Sequence, residues 1–221
     1  MSHLIRLPDE VRTDGGRMPG TRARKKRARY LNCLRELLDE SRYRDITVAD
    51  LARRAGGVPG TFYQYFPDIE AAILALAMET AEEGAQLREK LTPAVAGEAK
   101  LYDAIAGLVD AYYEFWDKNE AILRVIDLAA MEGDERFRAI RVKMLNTVTL
   151  AIAKISEAHI PASQRQVDPV AMAGTITGML AHIAAHQDGF ESWGIRGSDV
   201  RHSLTRLAYW GITGDEPPAR G

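Results

Sequence analysis

Apolar and polar positions follow the period of an α-helix along most of the chain. In the first such segment, which begins at Thr21, the apolar residues Leu31, Leu34, Leu37 and Leu38 recur at spacings of three and four, with charged residues between them. No stretch shows the strict alternation that is typical of a half-buried strand. The pattern therefore predicts an all-α chain.

Two short helices are predicted after this first one. Thr47 followed by Asp50 resembles a capping box, which indicates the start of a helix. Gly56 and Gly57 end that helix, and Pro59 is favoured at the first position of the next. The two short helices and their glycine-containing turn form a helix-turn-helix, a motif whose second helix enters the major groove of DNA.

Longer helices are predicted from residue 69 onward. The short helix before them ends at Phe66, because Pro67 disfavours helical backbone in the residue that precedes it, and Asp68 is a suitable N-cap. Asp168 and Ser198 are predicted caps of the last two helices. The predicted segments are 69–90, 98–118, 120–131, 134–158, 168–186 and 198–210. The fold is thus expected to combine an N-terminal three-helix domain, which contains the helix-turn-helix, with a six-helix C-terminal domain.

Charge is unevenly distributed along the sequence. Residues 1–66 carry 14 Lys and Arg against 8 Asp and Glu, whereas the remaining residues carry 15 against 23, for a formal net charge of −2. Seven basic residues and no acidic one lie between Arg17 and Tyr30. A basic end on an acidic body indicates a polyanionic partner at that end, although a solvated basic tail would show the same pattern.

The composition is that of an ordinary globular protein. Hydrophobic residues make up 46% of the chain, and no apolar run approaches the length of about 18 residues that a membrane span needs. The first residues lack the apolar block of a signal peptide, and the single Cys33 excludes an internal disulfide. We therefore expect a soluble, cytoplasmic protein without a membrane partner.

The stretch AGGVPGTFYQYF, residues 55–66, carries the candidate chemistry of the helix-turn-helix. Phe62 and Phe66 are four residues apart and are predicted to face inward. The exposed side is then expected to carry Thr61, Tyr63, Gln64 and Tyr65. Hydroxyl groups suit phosphate oxygens, the Gln64 amide matches a base edge, and Gly60 permits close approach of the backbone. A packed aromatic patch is the alternative, but it leaves the exposed tyrosines unexplained.

The sequence TVADLARRAGGVPGTFYQYFPDIE resembles the N-terminal signature of the TetR family of bacterial transcriptional regulators. The resemblance spans residues 22–70 and includes the spacing, the turn glycine, Gly-Thr-Phe-Tyr-x-Tyr-Phe and the long helix that follows. The layout of the later helices is also similar to that of the family. Residues 112–144 are similar to the branch that contains the mycobacterial regulator of ethionamide activation.

The resemblance implies a homodimer that binds a palindromic operator, usually as a repressor, and releases it when a small hydrophobic molecule occupies the C-terminal domain. It implies phosphate contacts by Thr47, Thr61, Tyr63 and Tyr65, and base contacts by Val58, Pro59, Gly60 and Gln64. The domains are then an arm at 1–20, a DNA-binding domain at 21–68, a ligand-sensing and dimerisation domain at 69–213 and a flexible tail at 214–221.

Three positions depart from the family pattern. Gly57 and Val58 stand where the family usually has Val and Ser, which removes an apolar side chain and a hydroxyl cap from the turn. We expect this change to loosen the turn or to shift its readout. Ile69 stands where the family often has lysine, so one phosphate contact is expected to be missing. The basic residues hypothesised to replace it include Arg22, Arg24 and Lys25.

A stripe of small residues marks a candidate dimer interface. Gly174, Gly178, Ala181 and Ala185 fall at i, i+4, i+7 and i+11 of one helix, so that another helix could approach closely. Close packing inside one subunit is the alternative. In the family the last two helices form the dimer interface, which adds the apolar residues Leu204 and Leu207.

The ligand site is less sharply defined. The helices that line the cavity in the family carry Tyr112, Trp116, Ile122, Ile126, Phe137, Met144, Thr147 and Thr177. An aromatic and apolar lining suits a hydrophobic ligand, although plain core packing is the alternative for each residue. His182 and His186 have a spacing that could hold a metal, but no cysteine or carboxylate pair completes the site, so we expect neither metal nor cofactor.

Catalytic signatures are missing from the sequence. It contains no Gly-x-Ser-x-Gly, His-Glu-x-x-His, P-loop or dinucleotide fingerprint, so we do not expect an enzyme. The remaining alternative is a ligand-binding protein with the TetR fold that has weakened or lost specific DNA binding, as the altered turn and Ile69 would allow. Specific, salt-sensitive binding to DNA would distinguish the two.

Overall fold

The computed structural model of the chain describes residues 20–95 and 100–219. The predicted arm at 1–20 lies outside these ranges except for Gly20, as do the last two residues of the predicted tail and the predicted helix start at residue 98. Within the described ranges all regular structure is helical and no strand occurs, so the predicted all-α fold is confirmed.

In chain order the α-helices are α1 Thr21–Glu40, α2 Val48–Arg54, α3 Pro59–Phe62, α4 Ile69–Ala85, α5 Thr92–Val95, α6 Leu101–Met131, α7 Glu135–His159, α8 Pro169–Ala185, α9 Gln187–Ser192 and α10 Gly197–Thr213. Short 3₁₀ segments lie before α2, α5 and α8, at Tyr43–Asp45, Gln86–Leu91 and Ala162–Gln164. No helix in the described ranges is both long enough and apolar enough to cross a membrane.

Local caps set the boundaries of the helix-turn-helix. Thr47 Oγ1 accepts a hydrogen bond from the backbone N–H of Asp50 at 3.1 Å, which begins α2. Gly56 ends α2 with a φ of +68°, a left-handed conformation that favours glycine. Pro59 opens α3, and the Asp68 carboxylate accepts a backbone N–H of the first turn of α4 at 2.7 Å. These four predicted boundaries are confirmed.

The first of two compact units contains the described residues 20–81 together with Ala121–Arg141. Its core beneath α3 is built from side chains of α1, α2 and residues 62–66, the aromatic segment. These side chains are at most 8% exposed, namely Tyr30, Leu31, Leu34, Leu37, Leu38, Leu51, Phe62 and Phe66. The inward orientation predicted for the two phenylalanines is confirmed.

The second compact unit contains Glu82–Glu120 and the described residues 142–219. A Cβ on Gly211 of α10 would lie 3.1 Å from Met172 Sδ and 3.2 Å from Ile176 Cδ1, so this glycine lets α8 and α10 approach closely. Helices α4, α6 and α7 each contribute residues to both units. The boundaries of these two packing units therefore do not coincide with the boundary between functional domains that we predict after residue 68.

The first boundary prediction that is wrong is the end of α3: the sequence predicts it at Phe66, whereas the helix ends at Phe62 and hydrogen-bonded turns continue to Phe66. The second concerns α6. The sequence predicts two helices, at 98–118 and 120–131, whereas α6 runs through Asn119 as one helix with a kink, where φ is −120° and ψ is 15°. The buried Asn119 side chain donates to the Phe115 carbonyl at 3.0 Å, and this hydrogen bond supports the chain across the kink. Helix α4 is also shorter than the predicted 69–90, because the chain tightens into the 3₁₀ segment after Ala85.

The end of the chain shows two further differences. Asp168 caps α8 as predicted, accepting the Ala171 N–H at 2.8 Å. The predicted loop that follows α8 instead contains α9, and α10 begins at Gly197 with Arg196 as an N-cap that makes no side-chain hydrogen bond. Ser198 is therefore inside the helix and not its cap.

Candidate nucleic-acid interface

Apart from the buried Phe62, residues 58–65 form an accessible surface of mixed polarity outside the core of the first unit. Val58 is 63% and Tyr63 is 56% exposed, and Gln64 is exposed as well. Thr61 and Tyr65 are half-buried, with part of each side chain at the surface. The other residues assigned to DNA in this region are exposed too: Thr47, Pro59 and Gly60. The structure thus leaves the predicted contact residues accessible on one short segment and at the start of α2.

Aromatic packing holds this segment in place. Phe62 and Phe66 lie with their ring centroids 5.5 Å apart, and Tyr30 of α1 meets Phe62 edge-on at the same centroid distance. Helix α3 has only four residues, and the chain continues as hydrogen-bonded turns in which the Phe66 N–H donates to the Phe62 carbonyl at 3.1 Å. Because so short a helix has little stability of its own, its orientation depends on this packing.

The turn between α2 and α3 is covered by two residues of α1. A Cβ on Gly56 would lie 3.0 Å from Arg29 Nη2, and a Cβ on Gly57 would lie 3.3 Å from Tyr30 Oη. Val58 is the N-cap of α3 and makes no side-chain hydrogen bond, as predicted from its missing hydroxyl. The sequence interpretation did not foresee Arg29 and Tyr30 beside the turn. The sequence indicated only that both residues lie on α1 beside its apolar stripe, and not that they would reach the turn.

The basic run on α1 divides into two kinds of side chain. Arg22, Arg24 and Lys25 lie in the first turns of α1 and are exposed, as expected for contacts with a polyanion. Arg27 instead donates to Glu79 at 2.9 Å, and its guanidinium lies 5.2 Å from the centroid of the Phe66 ring. Arg27 therefore helps to hold α1, α4 and the aromatic segment together.

Residues around the turn between α6 and α7 contact the segments on either side of the helix-turn-helix, within the first unit. Arg44, in the 3₁₀ segment before α2, donates to Glu132, and Arg136 donates to Glu70 at the start of α4. Arg136 also donates to Asp134 at 2.7 Å. This guanidinium holds the pKa of Asp134 below its usual range, and the two carboxylates raise the pKa of Arg136.

The predicted ligand residues are divided between the two compact units. Seven are at most 9% exposed, namely Tyr112, Trp116, Ile122, Ile126, Phe137, Met144 and Thr177, and Thr147 is half-buried. Ile122, Ile126 and Phe137 belong to the first unit and the others to the second. The structure therefore does not bring all eight together in one compact unit.

Within the second unit, the predicted ligand residues lie in well-packed surroundings. A Cβ on Gly84 would lie 2.9 Å from both Met144 Cγ and Phe115 Cζ, so these side chains fill the space beside α4. The Thr177 hydroxyl is buried and has no hydrogen-bond partner among the described residues. Depressions of about 240 and 360 Å³ occur elsewhere, and none of the eight predicted residues lines them.

The predicted dimer residues differ in how accessible they are. Gly174 and Gly178 are exposed, with no atom within 4 Å of a Cβ built on either, and Ala181 and Ala185 are half-buried. Leu207 is 50% exposed and so could contact a second copy. Leu204, in contrast, is 1% exposed and packs inside its own chain.

The two histidines near the end of α8 lie against each other. Their rings stack with centroids 4.3 Å apart, and His186 Nδ1 donates to the His182 carbonyl at 2.8 Å. In the described part of the chain, no three His, Cys, Asp or Glu side chains are grouped as a metal site would require.

Comparison with known proteins identifies the family. A family model described as "Tetracyclin repressor-like, C-terminal domain" matches residues 70–219, and a model described as "Bacterial regulatory proteins, tetR family" matches residues 33–76. The chain belongs to the TetR family. The resemblance drawn from the helix-turn-helix sequence is thereby confirmed, and the C-terminal match extends it over most of this TetR-family chain.

Solved structures share the fold. The fatty acid degradation regulator FadR from Bacillus halodurans superimposes with a TM-score of 0.65 at 16% identity, over 89% of this chain and 97% of that one. Thermus thermophilus FadR, a TetR-family repressor in complex with lauroyl-CoA, gives 0.56 at 20% identity, over 88% and 99%. Bacillus subtilis FadR in complex with stearoyl-CoA gives 0.61 at 16% identity, over 86% and 99%. Among curated proteins, no sequence matches the chain.

Proposed function

We propose that this TetR-family protein is a cytoplasmic repressor that binds a palindromic operator as a homodimer and releases it when a small hydrophobic ligand binds. The observation that carries the proposal is the exposed face of residues 58–65, which Phe62 and Phe66 anchor to the core. A face of this kind, in a chain that matches the family over both its parts, supports DNA reading and not catalysis.

The exposed side chains suit two kinds of DNA contact. The Gln64 amide carries both a donor and an acceptor, which match N6 and N7 of adenine in the major groove. The hydroxyls of Thr61, Tyr63 and Tyr65 donate to phosphate oxygens and so fix the register of the protein on the duplex. The Thr47 hydroxyl donates to the Asp50 carboxylate at 2.6 Å and joins them only if it turns away from this partner. Two such segments in a dimer read half-sites about 34–36 Å apart, one turn of DNA, which explains why a palindromic operator is expected.

Long-chain acyl-CoA is the first ligand class to test. Two FadR proteins with this fold were crystallised with lauroyl-CoA and stearoyl-CoA. The proposed ligand residues are mostly apolar or aromatic, with hydroxyls at Thr147 and Thr177. Such a ligand releases DNA only if it prefers a conformation that fits the operator poorly, since a ligand with equal affinity for both conformations shifts nothing.

DNA binding is tested with the duplex upstream of the protein's own gene. Fluorescence anisotropy at two salt concentrations, with an unrelated duplex of equal length as control, measures affinity and specificity. We expect tight, specific and salt-sensitive binding by a dimer. Binding that does not distinguish the two duplexes would instead support a ligand-binding protein without specific DNA binding, an alternative that Gly57, Val58 and Ile69 favour.

Ligand binding is tested by thermal unfolding with lauroyl-CoA, stearoyl-CoA, free CoA and lauric acid. An acyl-CoA ligand raises the unfolding temperature and weakens operator binding, whereas free CoA does neither. Chromatography after incubation should recover the acyl-CoA intact, as expected for a regulator. If no acyl chain shifts the unfolding temperature, acyl-CoA is excluded as the ligand. The proposal that the protein binds DNA does not depend on this result.

A further inference from the structure

We propose that Tyr30 is the positioning residue of the DNA-reading segment: its ring and hydroxyl hold α3 between the Gly57 turn and Tyr65, and so set how residues 58–65 meet a base sequence. This inference rests on the proposed DNA-binding function. It assigns a role in specificity to a side chain that does not itself contact DNA.

The first contact of Tyr30 is with the turn before α3. Tyr30 is 1% exposed, and its hydroxyl oxygen lies 3.3 Å from the position that a Cβ on Gly57 would take. The Gly57 N–H donates to the Ala52 carbonyl at 2.8 Å, which fixes the backbone at this point. A side chain at position 57 and the Tyr30 hydroxyl therefore compete for the same space.

The second contact is with the segment after the turn. The Tyr30 ring meets Phe62 edge-on with centroids 5.5 Å apart, and the Tyr65 ring centroid lies 5.7 Å from that of Tyr30. One side chain of α1 thus touches residues before, within and after α3. Because Tyr65 is one of the proposed phosphate contacts, a movement of Tyr30 changes the placement of the reading face.

The hydroxyl of Tyr30 is not explained by core packing. It is buried without a hydrogen-bond partner among the described residues, and burying an unpartnered hydroxyl is unfavourable. Stability alone would therefore favour phenylalanine at this position. What the hydroxyl adds is reach, since its oxygen borders the space that a side chain at position 57 would occupy.

Position 57 offers a clean test of this contact. Gly56 has a positive φ, but Gly57 does not, so alanine fits the backbone at 57 without strain. Gly57→Ala consequently probes the space beside the Tyr30 hydroxyl. Gly107→Ala is the matched control, because a Cβ on Gly107 would meet no atom within 4 Å.

The experiment compares wild type, Tyr30→Phe, Gly57→Ala, the double variant and Gly107→Ala. Wild-type protein first enriches its preferred duplex from a randomised library, and each variant is then measured on that duplex and on an unrelated one. We expect Gly57→Ala to lower the ratio of the two affinities about tenfold, because the added methyl group overpacks the turn. Tyr30→Phe should lower the ratio by a smaller factor while its unfolding temperature stays equal or rises.

The decisive variant is the double one. Because Tyr30→Phe removes the hydroxyl, the alanine methyl at position 57 occupies the vacated space, and the affinity ratio should return to within about threefold of wild type. Gly107→Ala should leave the ratio unchanged. Thermal unfolding without DNA should show the same non-additivity between positions 30 and 57.

Two results would overturn the inference, and they have different causes. If Gly57→Ala lowers the ratio equally whether or not Tyr30→Phe is also present, in a protein that does enrich a sequence, Tyr30 is only a core residue. If the wild-type protein enriches no sequence, the proposed DNA-binding function fails and the inference fails with it.

Discussion

The guanidinium of Arg136, at the start of α7, donates to the carboxylate of Glu70, at the start of α4. Glu70 follows the aromatic segment by four residues, so this ion pair ties the turn between α6 and α7 to the part of the chain that carries the proposed DNA contacts. The same guanidinium donates to Asp134 at 2.7 Å. A single exposed ion pair contributes little stability, but Arg136 shares its charge between two carboxylates.

Arg136→Glu should destabilise the first unit. The reversed charge faces Glu70 and Asp134, and we expect a loss of about 1 kcal/mol, because these side chains are partly exposed. Urea unfolding at low salt measures this loss in the free energy of unfolding. Arg138→Glu is the control, since its partner Glu135 lies within the same helix. Equal losses in the two variants would show that Arg136 does not hold the turn to α4.

The Asp134 carboxylate should make part of this stability dependent on pH. Arg136 lowers the pKa of Asp134 in the folded protein. Its contribution is therefore fully present above the unfolded pKa of about 3.9 and is lost as the pH falls through the lower folded value. Asp134→Asn should be less stable than wild type at pH 7, and the difference should disappear towards pH 2. A difference that is constant across this range would contradict the assignment.

The sequence predicted those features that depend on neighbouring residues. The caps Thr47, Asp68 and Asp168 act over three residues, and the spacing of Phe62 and Phe66 sets which side of α3 is exposed. These local rules were enough to place the helix-turn-helix and its accessible face.

Features that depend on distant contacts were not predictable in this way. Tyr30 reaches the Gly57 turn from another helix, and the Asn119 side chain carries α6 across a kink that sequence patterns present as a break. Leu204 and Leu207 are three residues apart on α10, yet one is buried and the other exposed. The packing of α10 against other helices distinguishes them, and spacing along the sequence does not reveal it.

Gln64 and Tyr63 should affect DNA binding in different ways. Gln64→Ala removes a base contact, so we expect a loss of about 1–3 kcal/mol on the preferred duplex and relaxed preference at one base pair. Tyr63→Phe removes a phosphate contact and should weaken all duplexes by a similar factor. Affinities for a set of single-base variants of the operator measure both. A uniform loss for Gln64→Ala would exclude it from base reading.

The basic end of the chain should determine the salt dependence of binding. Deleting residues 1–20 and neutralising Arg22, Arg24 and Lys25 removes part of the basic charge of this end, including three exposed side chains of α1. Affinity falls as salt rises, and each phosphate contact that is removed makes the slope of log affinity against log salt shallower by about 0.9. Operator affinity measured at four salt concentrations gives the slope. An unchanged slope would mean that this end does not bind phosphates. It then would not replace the phosphate contact that a lysine at position 69 makes in the family.

Leu207 should be required for self-association. It is 50% exposed on α10, and Leu150 on α7 is 52% exposed, so Leu207→Glu and Leu150→Glu introduce the same charge at equally accessible leucines. If α8 and α10 form the dimer interface, Leu207→Glu places a charge in it and shifts the protein to monomers, which then bind the palindromic operator more weakly. Leu150→Glu should remain dimeric. Sedimentation equilibrium over a range of concentrations measures both, and dimers of unchanged affinity in the Leu207 variant would place the interface elsewhere.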